Sequence, residues 1–187
     1  PANATLHFPG GLKDFLESML DQIDTITPKI FFGQAKLNGG TGSVEWAVAW
    51  SNNEDSFLNS YCNTIPTPQG GTHESGLRAA LTRGLRAYGE LTNNKLAAKI
   101  TGEDILGSSL AMLSVFISNP QFQGQTKEKL ATATASKLVE TSIGDYFDHW
   151  LSGDPETANL LLDHAIEKSQ HRLHKKEQKS LKRQSAT

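Results

Sequence analysis

Between Asp154 and Thr187 the chain carries no glycine and only one proline, Pro155, near the start of the run. Asp154 is suited to accept from the free amides of a first helical turn. Pro155 sits at the first helical position, where its missing N–H is no loss. Nothing after it breaks a helix, so about 29 residues at about 1.5 Å each make a rod of about 43 Å. The apolar stripe of that rod, Ala158, Leu161, Leu162, Ala165, Ile166 and Leu173, thins toward its end. The second half is too polar to pack on this chain alone. A compact body with one helix reaching out of it is the expectation.

The body reads as strands followed by alternating helix and strand. Leu12, Phe15, Leu16, Met19, Leu20 and Ile23 recur at helical spacing, predicting a helix over 11–26 that Pro28 stops. A strand over 30–36 is followed by the turn cluster Asn38-Gly39-Gly40-Thr41-Gly42. Val44, Trp46, Val48 and Trp50 then alternate onto one face, the pattern of a half-buried strand. A third strand, 57–64, follows the polar turn 52–55, and the three are expected to form an antiparallel meander. After a loop over 66–71, Thr72 opens a helix whose apolar face holds Leu77, Leu81, Gly84, Leu85 and Tyr88. Arg78, Thr82 and Arg86 form a separate row on it. A short turn or helix starts at Thr101. The apolar run 111–117 predicts a buried strand, and 134–151 a helix ended by Gly153. This order implies an α/β (α+β) two-layer sandwich, a four-stranded sheet backed by helices, over residues 1–153, with a long C-terminal helix over 154–187.

A chain of 187 residues fits one domain with an appendage and can bury about 70% of its unfolded surface. The single Cys62 fits a reducing compartment and reads as a small strand residue. With no apolar run of membrane length and no leader pattern, a cytoplasmic protein without a membrane partner is expected. The start at Pro1, in place of Met, suggests a piece of a longer polypeptide. Charge is uneven: from Lys168 onward seven Lys/Arg face Glu177 alone, leaving eleven basic and nineteen acidic residues elsewhere. Such a basic rod suits DNA or simply water. No HExxH, CxxC, GxSxG or GxxxxGK[ST] pattern is present. Gly39, Gly40 and Gly42 lie between strands and suit a hairpin. His171 and His174 lack a third ligand nearby, so no metal site is expected.

The stretch Asn119-Pro120-Gln121-Phe122-Gln123-Gly124-Gln125-Thr126-Lys127-Glu128-Lys129-Leu130 joins the buried strand to the following helix. A loop there can aim a cation and an amide outward from a rigid strand end. With its Gln125-Thr126-Lys127 core, it resembles the QTK loop in the transducer domain of the ATPase subunits of type IIA DNA topoisomerases. Two further blocks agree and lie in the family's order. One runs from Tyr61 to Leu81 through Asn63-Thr64-Ile65, Gly70-Gly71-Thr72-His73 and Gly76-Leu77-Arg78; the other is Phe8-Pro9-Gly10-Gly11-Leu12-Lys13-Asp14-Phe15-Leu16. Within the family, Pro68-Gln69-Gly70-Gly71-Thr72-His73 and Pro120 to Lys127 look more like topoisomerase IV B-type subunits than gyrase B-type subunits.

The resemblance implies a fold like the second domain of ribosomal protein S5. It gives Gln125 and Lys127 the γ-phosphate of an ATP held by a preceding nucleotide-binding domain, with Lys127 in the catalytic role and Thr126 structural. It implies DNA contact by Arg78 and, more weakly, Arg86 and Arg83. Implied partners are a DNA duplex, the N-terminal ATPase domain and DNA-cleavage domain of the same subunit, the topoisomerase IV A-type subunit and a second copy in a dimer. Mg²⁺ is implied for the whole enzyme and not for this stretch, which alone is expected to be inactive. His73 is read as holding the junction of loop and helix. Two rivals stand beside this reading. A small-molecule kinase of the same fold class would need a glycine-rich phosphate loop opening a helix. A free-standing nucleic-acid-binding or adaptor domain would use the basic rod.

Overall fold

The computed structural model describes residues 11–40, 42–126 and 128–186. Its elements are α1 (Leu12–Met19), β1 (Phe31–Lys36), β2 (Gly42–Trp50), β3 (Phe57–Cys62), β4 (Ile65–Pro66) and α2 (Thr72–Leu91). A 3₁₀ turn (Lys95–Lys99) follows, then α3 (Gly102–Leu106), β5 (Ser109–Ile117), β6 (Phe122–Gln123), β7 (Lys129–Leu130), α4 (Ala133–Gly153) and α5 (Pro155–Ser185).

The main sheet runs β1-β2-β5-β3-β4, so the four expected strands are joined by the two-residue β4. The expected meander is corrected: β2 and β3 are not neighbours. β5 lies between them, antiparallel to β2 with Leu113 opposite Trp46, and parallel to β3 with Leu113 opposite Ser60. A parallel β3–β5 pair needs a long crossover, which α2 supplies. The central place goes to the strand that is apolar on both faces, because only there are both faces covered. Ala111, Leu113 and Val115 belong to one core cluster, and Leu110 and Met112 to the other.

Val44, Trp46, Val48 and Trp50 do share a face, packed under α2, α4 and the first half of α5. Phe31, Phe147 and Trp150 pack together there with ring centroids 5.0–6.0 Å apart, and Trp50 Nε1 donates to the Ile105 carbonyl at 3.0 Å. The strand is not half-buried, however. Ala47 and Ala49 on its other face are small enough for α1 to seat Leu16 against them. That helix is shorter than the spacing implied: Leu20 and Ile23 still pack on the core but from the turn after Met19. The block from Phe8 to Leu16 is described only from Gly11 onward, so Phe8, Pro9 and Gly10 lie outside the described residues.

α5 spans 31 residues. Asp154 caps it, accepting from the Thr157 amide at 3.3 Å and the Thr157 hydroxyl at 2.8 Å. Lys29 lies 3.1 Å from the same carboxylate. Thr157, Ala158, Leu161, Leu162, Ala165, Ile166 and Ser169 are buried, whereas every residue from His174 to Ala186 is exposed. Among the described residues no helix is long and apolar enough to cross a membrane.

Candidate functional site

The stretch expected to be a plain loop carries a small hairpin of its own. β6 and β7 pair antiparallel, Phe122 opposite Leu130 and Gln123 opposite Lys129. Strand alternation turns Phe122 and the buried Leu130 inward and leaves Gln123 and Lys129 exposed. After β6, Gly124 takes φ +82°, and Gln125 and Thr126 are exposed. Lys127, the next residue in sequence, lies outside the described residues.

The hairpin is moored to the loop before α2. Gln69 N–H donates to the Glu128 carbonyl at 3.0 Å, and the Gln69 side-chain amide to the Glu128 carboxylate at 2.7 Å. Leu130 N–H donates to the Gly70 carbonyl at 3.0 Å. The two glycines make this approach possible. Gly70 sits at φ +77° and Gly71 at φ +141°, and a Cβ on Gly71 would lie 2.3 Å from the Leu130 carbonyl oxygen. At the hairpin's other end, Gln121 N–H donates to Thr132 Oγ1 at 2.8 Å and Ala131 N–H to the Gln121 carbonyl at 2.7 Å. The turn before it is fixed as well. Asn63 accepts from Ile117 N–H at 2.9 Å and donates to the Ile117 carbonyl at 3.0 Å, so its side chain ends the β5 ladder as a strand would.

Below the loop runs a buried chain of polar groups. His73 is fully buried and its Nε2 lies 3.0 Å from Thr67 Oγ1. Thr67 Oγ1 is 2.7 Å from Ser60 Oγ, which donates to Glu74 Oε2 at 2.7 Å. Burial pushes the His73 pKa down to about 4, so the ring is neutral at pH 7. Burial also raises Glu74, against the Ser60 hydrogen bond and Arg78, which lower it. His73 thus does hold the loop-to-helix junction. Ser60, Thr67, Gln69 and Glu74 carry no signal in the sequence that marks them for this role. Only the paired glycines hint that two backbones meet there.

The arginines split by face. Arg78 lies 3.9 Å from the Glu103 carboxylate on α3, and Arg86 Nε donates to the Ile100 carbonyl at 2.7 Å. Arg83 points the other way and pairs with Glu140 on α4 at 2.8 Å. All three are exposed, and none lies on the hairpin. Cys62 is buried in β3, and burial raises its thiol to about 11, so it is no thiolate nucleophile at neutral pH. His174 pairs with Gln178 at 3.1 Å, and among the described residues no group of three or more His, Cys, Asp or Glu could hold a metal ion. Among the described residues the hairpin tip offers the exposed Gln125 amide and Thr126 hydroxyl, groups that can donate to phosphate oxygens.

A family model described as DNA gyrase B matches residues 11–181. The DNA topoisomerase 4 B subunit of Caulobacter vibrioides is 51% identical over 191 residues, covering 100% of this chain and 28% of that protein. The DNA gyrase B subunit of Mycobacterium tuberculosis is 34% identical over 189 residues, covering 98% and 27%. The solved topoisomerase IV ATP-binding domain of Francisella tularensis, in complex with a small-molecule inhibitor, superposes with a TM-score of 0.76 at 34% identity. That match covers 89% of this chain and 44% of the other. The chain therefore spans little more than a quarter of the length of these curated relatives.

Proposed function

The chain belongs to the DNA gyrase B family, and from that footing we propose that it is the transducer domain of the ATP-hydrolysing B-type component of topoisomerase IV. In this reading residues 1–153 form the transducer and 154–187 the helix that connects it onward. The whole protein works in the cytoplasm, as a dimer and with the topoisomerase IV A-type subunit, to pass one DNA duplex through another. Identity of 51% to the topoisomerase 4 relative against 34% to the gyrase relative favours the first over the second.

The observation that carries the proposal is the moored hairpin, which exposes Gln125 and Thr126, the residues just before Lys127 in sequence, and is tied at its base to the loop before α2. A preceding nucleotide-binding domain holds ATP and its Mg²⁺; hydrolysis there supplies the free energy. Gln125 and Lys127 reach across the domain boundary to the terminal phosphate. Two unit charges about 4 Å apart at an effective dielectric of about 20 attract by roughly 4 kcal/mol before desolvation. Driving a two-state element from 1:99 to 99:1 takes about 5.5 kcal/mol of differential binding. Before desolvation Lys127 approaches that figure without reaching it, so the Gln125 amide and the contacts of subunit closure must supply the remainder. ADP lacks the phosphate these groups grip, so the hairpin distinguishes the two nucleotide states. α5 then carries the motion toward the DNA-cleavage domain. Arg78 and Arg86, with Arg83 on the other face, offer sequence-independent, salt-sensitive contacts to the transported duplex.

In the complete protein, Lys127→Ala is expected to lower ATP turnover at least about tenfold, about 1.4 kcal/mol of barrier, with the thermal transition unchanged. Turnover within about twofold of the parent would remove Lys127 from this role.

A further inference from the structure

The buried chain His73–Thr67–Ser60–Glu74 joins three elements: Ser60 on β3, Thr67 in the loop after β4, and His73 and Glu74 in the first turn of α2. Its hydrogens run in one direction. Glu74, as a carboxylate, only accepts, so the Ser60 proton points to it at 2.7 Å; the alternative acceptor, the Thr67 carbonyl, is farther at 3.3 Å. With its proton committed, Ser60 must accept from Thr67, and Thr67 in turn must accept from His73 Nε2–H. Each hydroxyl gives one hydrogen bond and takes one. The neutral ring is fixed as the Nε2–H tautomer, which leaves Nδ1 without a hydrogen bond among the described residues.

What this chain holds in place is the loop that moors the hairpin. Thr67 N–H donates to the Ser60 carbonyl at 2.8 Å, and Gly70 N–H to the Thr67 carbonyl at 2.9 Å. Gly70 also rests on the Glu74 carboxylate, where a Cβ would lie 2.6 Å from Oε2. Gln69 and Gly70 are in turn the residues that grip Glu128 and Leu130. A continuous set of hydrogen bonds therefore runs from the sheet, through Ser60 and Thr67, to Glu128 and Leu130 at the base of the hairpin that exposes Gln125.

We propose that Ser60, Thr67, His73 and Glu74 are positioning residues for the phosphate-sensing turn, fixing the distance and direction at which the hairpin presents its tip. This rests on the role assigned above to Lys127. It predicts an effect on turnover without an effect on nucleotide capture, because the nucleotide is held by another domain. A hydroxyl lost at Thr67 loosens the loop and lets the tip wander, and misplacement of about 1 Å can cost up to about a hundredfold in rate.

The test uses the complete protein. Thr67→Val keeps the shape and removes the hydroxyl; Thr67→Ser restores it. For Thr67→Val, kcat for ATP is expected to fall by about fivefold or more while KM stays within about twofold; Thr67→Ser returns kcat to within about twofold of the parent. Hydrogen exchange read by mass spectrometry should quicken about tenfold at the Leu130 and Gln69 amides, with the Leu113 amide in the sheet centre unchanged. Combined with Lys127→Ala, Thr67→Val should cost no further rate, since both act on one contact. Unchanged exchange at Leu130 in Thr67→Val overturns the positioning role whatever Lys127 does. A normal rate for Lys127→Ala with quickened exchange at Leu130 instead overturns the phosphate-sensing role and keeps the mooring. Should Thr67→Val fail to fold, Ser60→Ala, a smaller excision from the same chain, is read by the same exchange and rate measurements.

Discussion

The β6–β7 hairpin and the second half of α5 both leave the core, and they are held in opposite ways. The hairpin has only two residues per strand, yet backbone and side-chain hydrogen bonds fasten it at both ends to the loop before α2 and to Thr132. The end of α5 is exposed from His174 to Ala186, a lever of about 20 Å at about 1.5 Å per residue. Its hold on the core lies before that bare stretch. Tyr88 donates to Asn159 at 3.0 Å, His164 lies 2.7 Å from Ser108 Oγ, and Arg172 contacts Asp104 twice at 3.1 Å and donates to the Lys99 carbonyl at 3.0 Å. The proposed roles fit this difference: a turn proposed to meet a phosphate needs a fixed tip, and a helix proposed to move a neighbouring domain needs a firm base and a stiff, bare arm.

The sharpest way to break this contrast is at the lever's base. Leu161 is fully buried, and Leu161→Ala is expected to destabilise the chain by about 2–5 kcal/mol in denaturant melts. At the hairpin's base, acid should act through His73. Its folded pKa, about 4, lies below the usual 6.5, so the unfolded chain binds the proton better. The stability is complete above pH 6.5 and drains away as pH falls toward 4, by about 3 kcal/mol in all. Melts between pH 7 and 4 should show a slope at least that large, and His73→Asn should make it shallower whatever its own stability at pH 7. His164, lowered by burial and by Lys168, adds a loss of the same sign below pH 6.5 at the lever's base, so the His73 share is the difference between the two chains.

A smaller effect is expected at Arg172. Its removal leaves the buried Asp104 carboxylate with the Thr101 amide and hydroxyl alone, at 2.9 and 3.1 Å. Arg172→Ala should therefore cost about 1–3 kcal/mol. Leu181→Ala, on the bare arm, should change stability by less than about 0.5 kcal/mol. A comparable loss at Leu181 would mean that the arm packs on this chain after all.

The same contrast explains what residues alone disclose. α5 is plain from Asp154, Pro155 and a thinning stripe, since a cap, a breaker-free run and a 3.6-residue period are local signals. Strand β2 is plain from Val44 to Trp50, but its second buried face is not, because Ala47 and Ala49 look alike whether they face water or α1. The place of β5 between β2 and β3 is a choice made across more than fifty residues, and the short turn after Trp50 points the wrong way. At the site, Gln125 and Lys127 stand out as chemistry. The Ser60–Thr67–Glu74 chain does not: its members are ordinary polar residues, united by a packing that only the fold creates.

The central claim, that this hairpin senses an intact triphosphate, is tested most directly by a crystal structure of the complete protein with a non-hydrolysable ATP analogue. The account predicts Lys127 Nζ within about 3 Å of a γ-phosphate oxygen, with the Gln125 amide beside it and the Gln69–Glu128 mooring in place. A Lys127 side chain lying in solvent, with the γ-phosphate gripped wholly by the other domain, would contradict it.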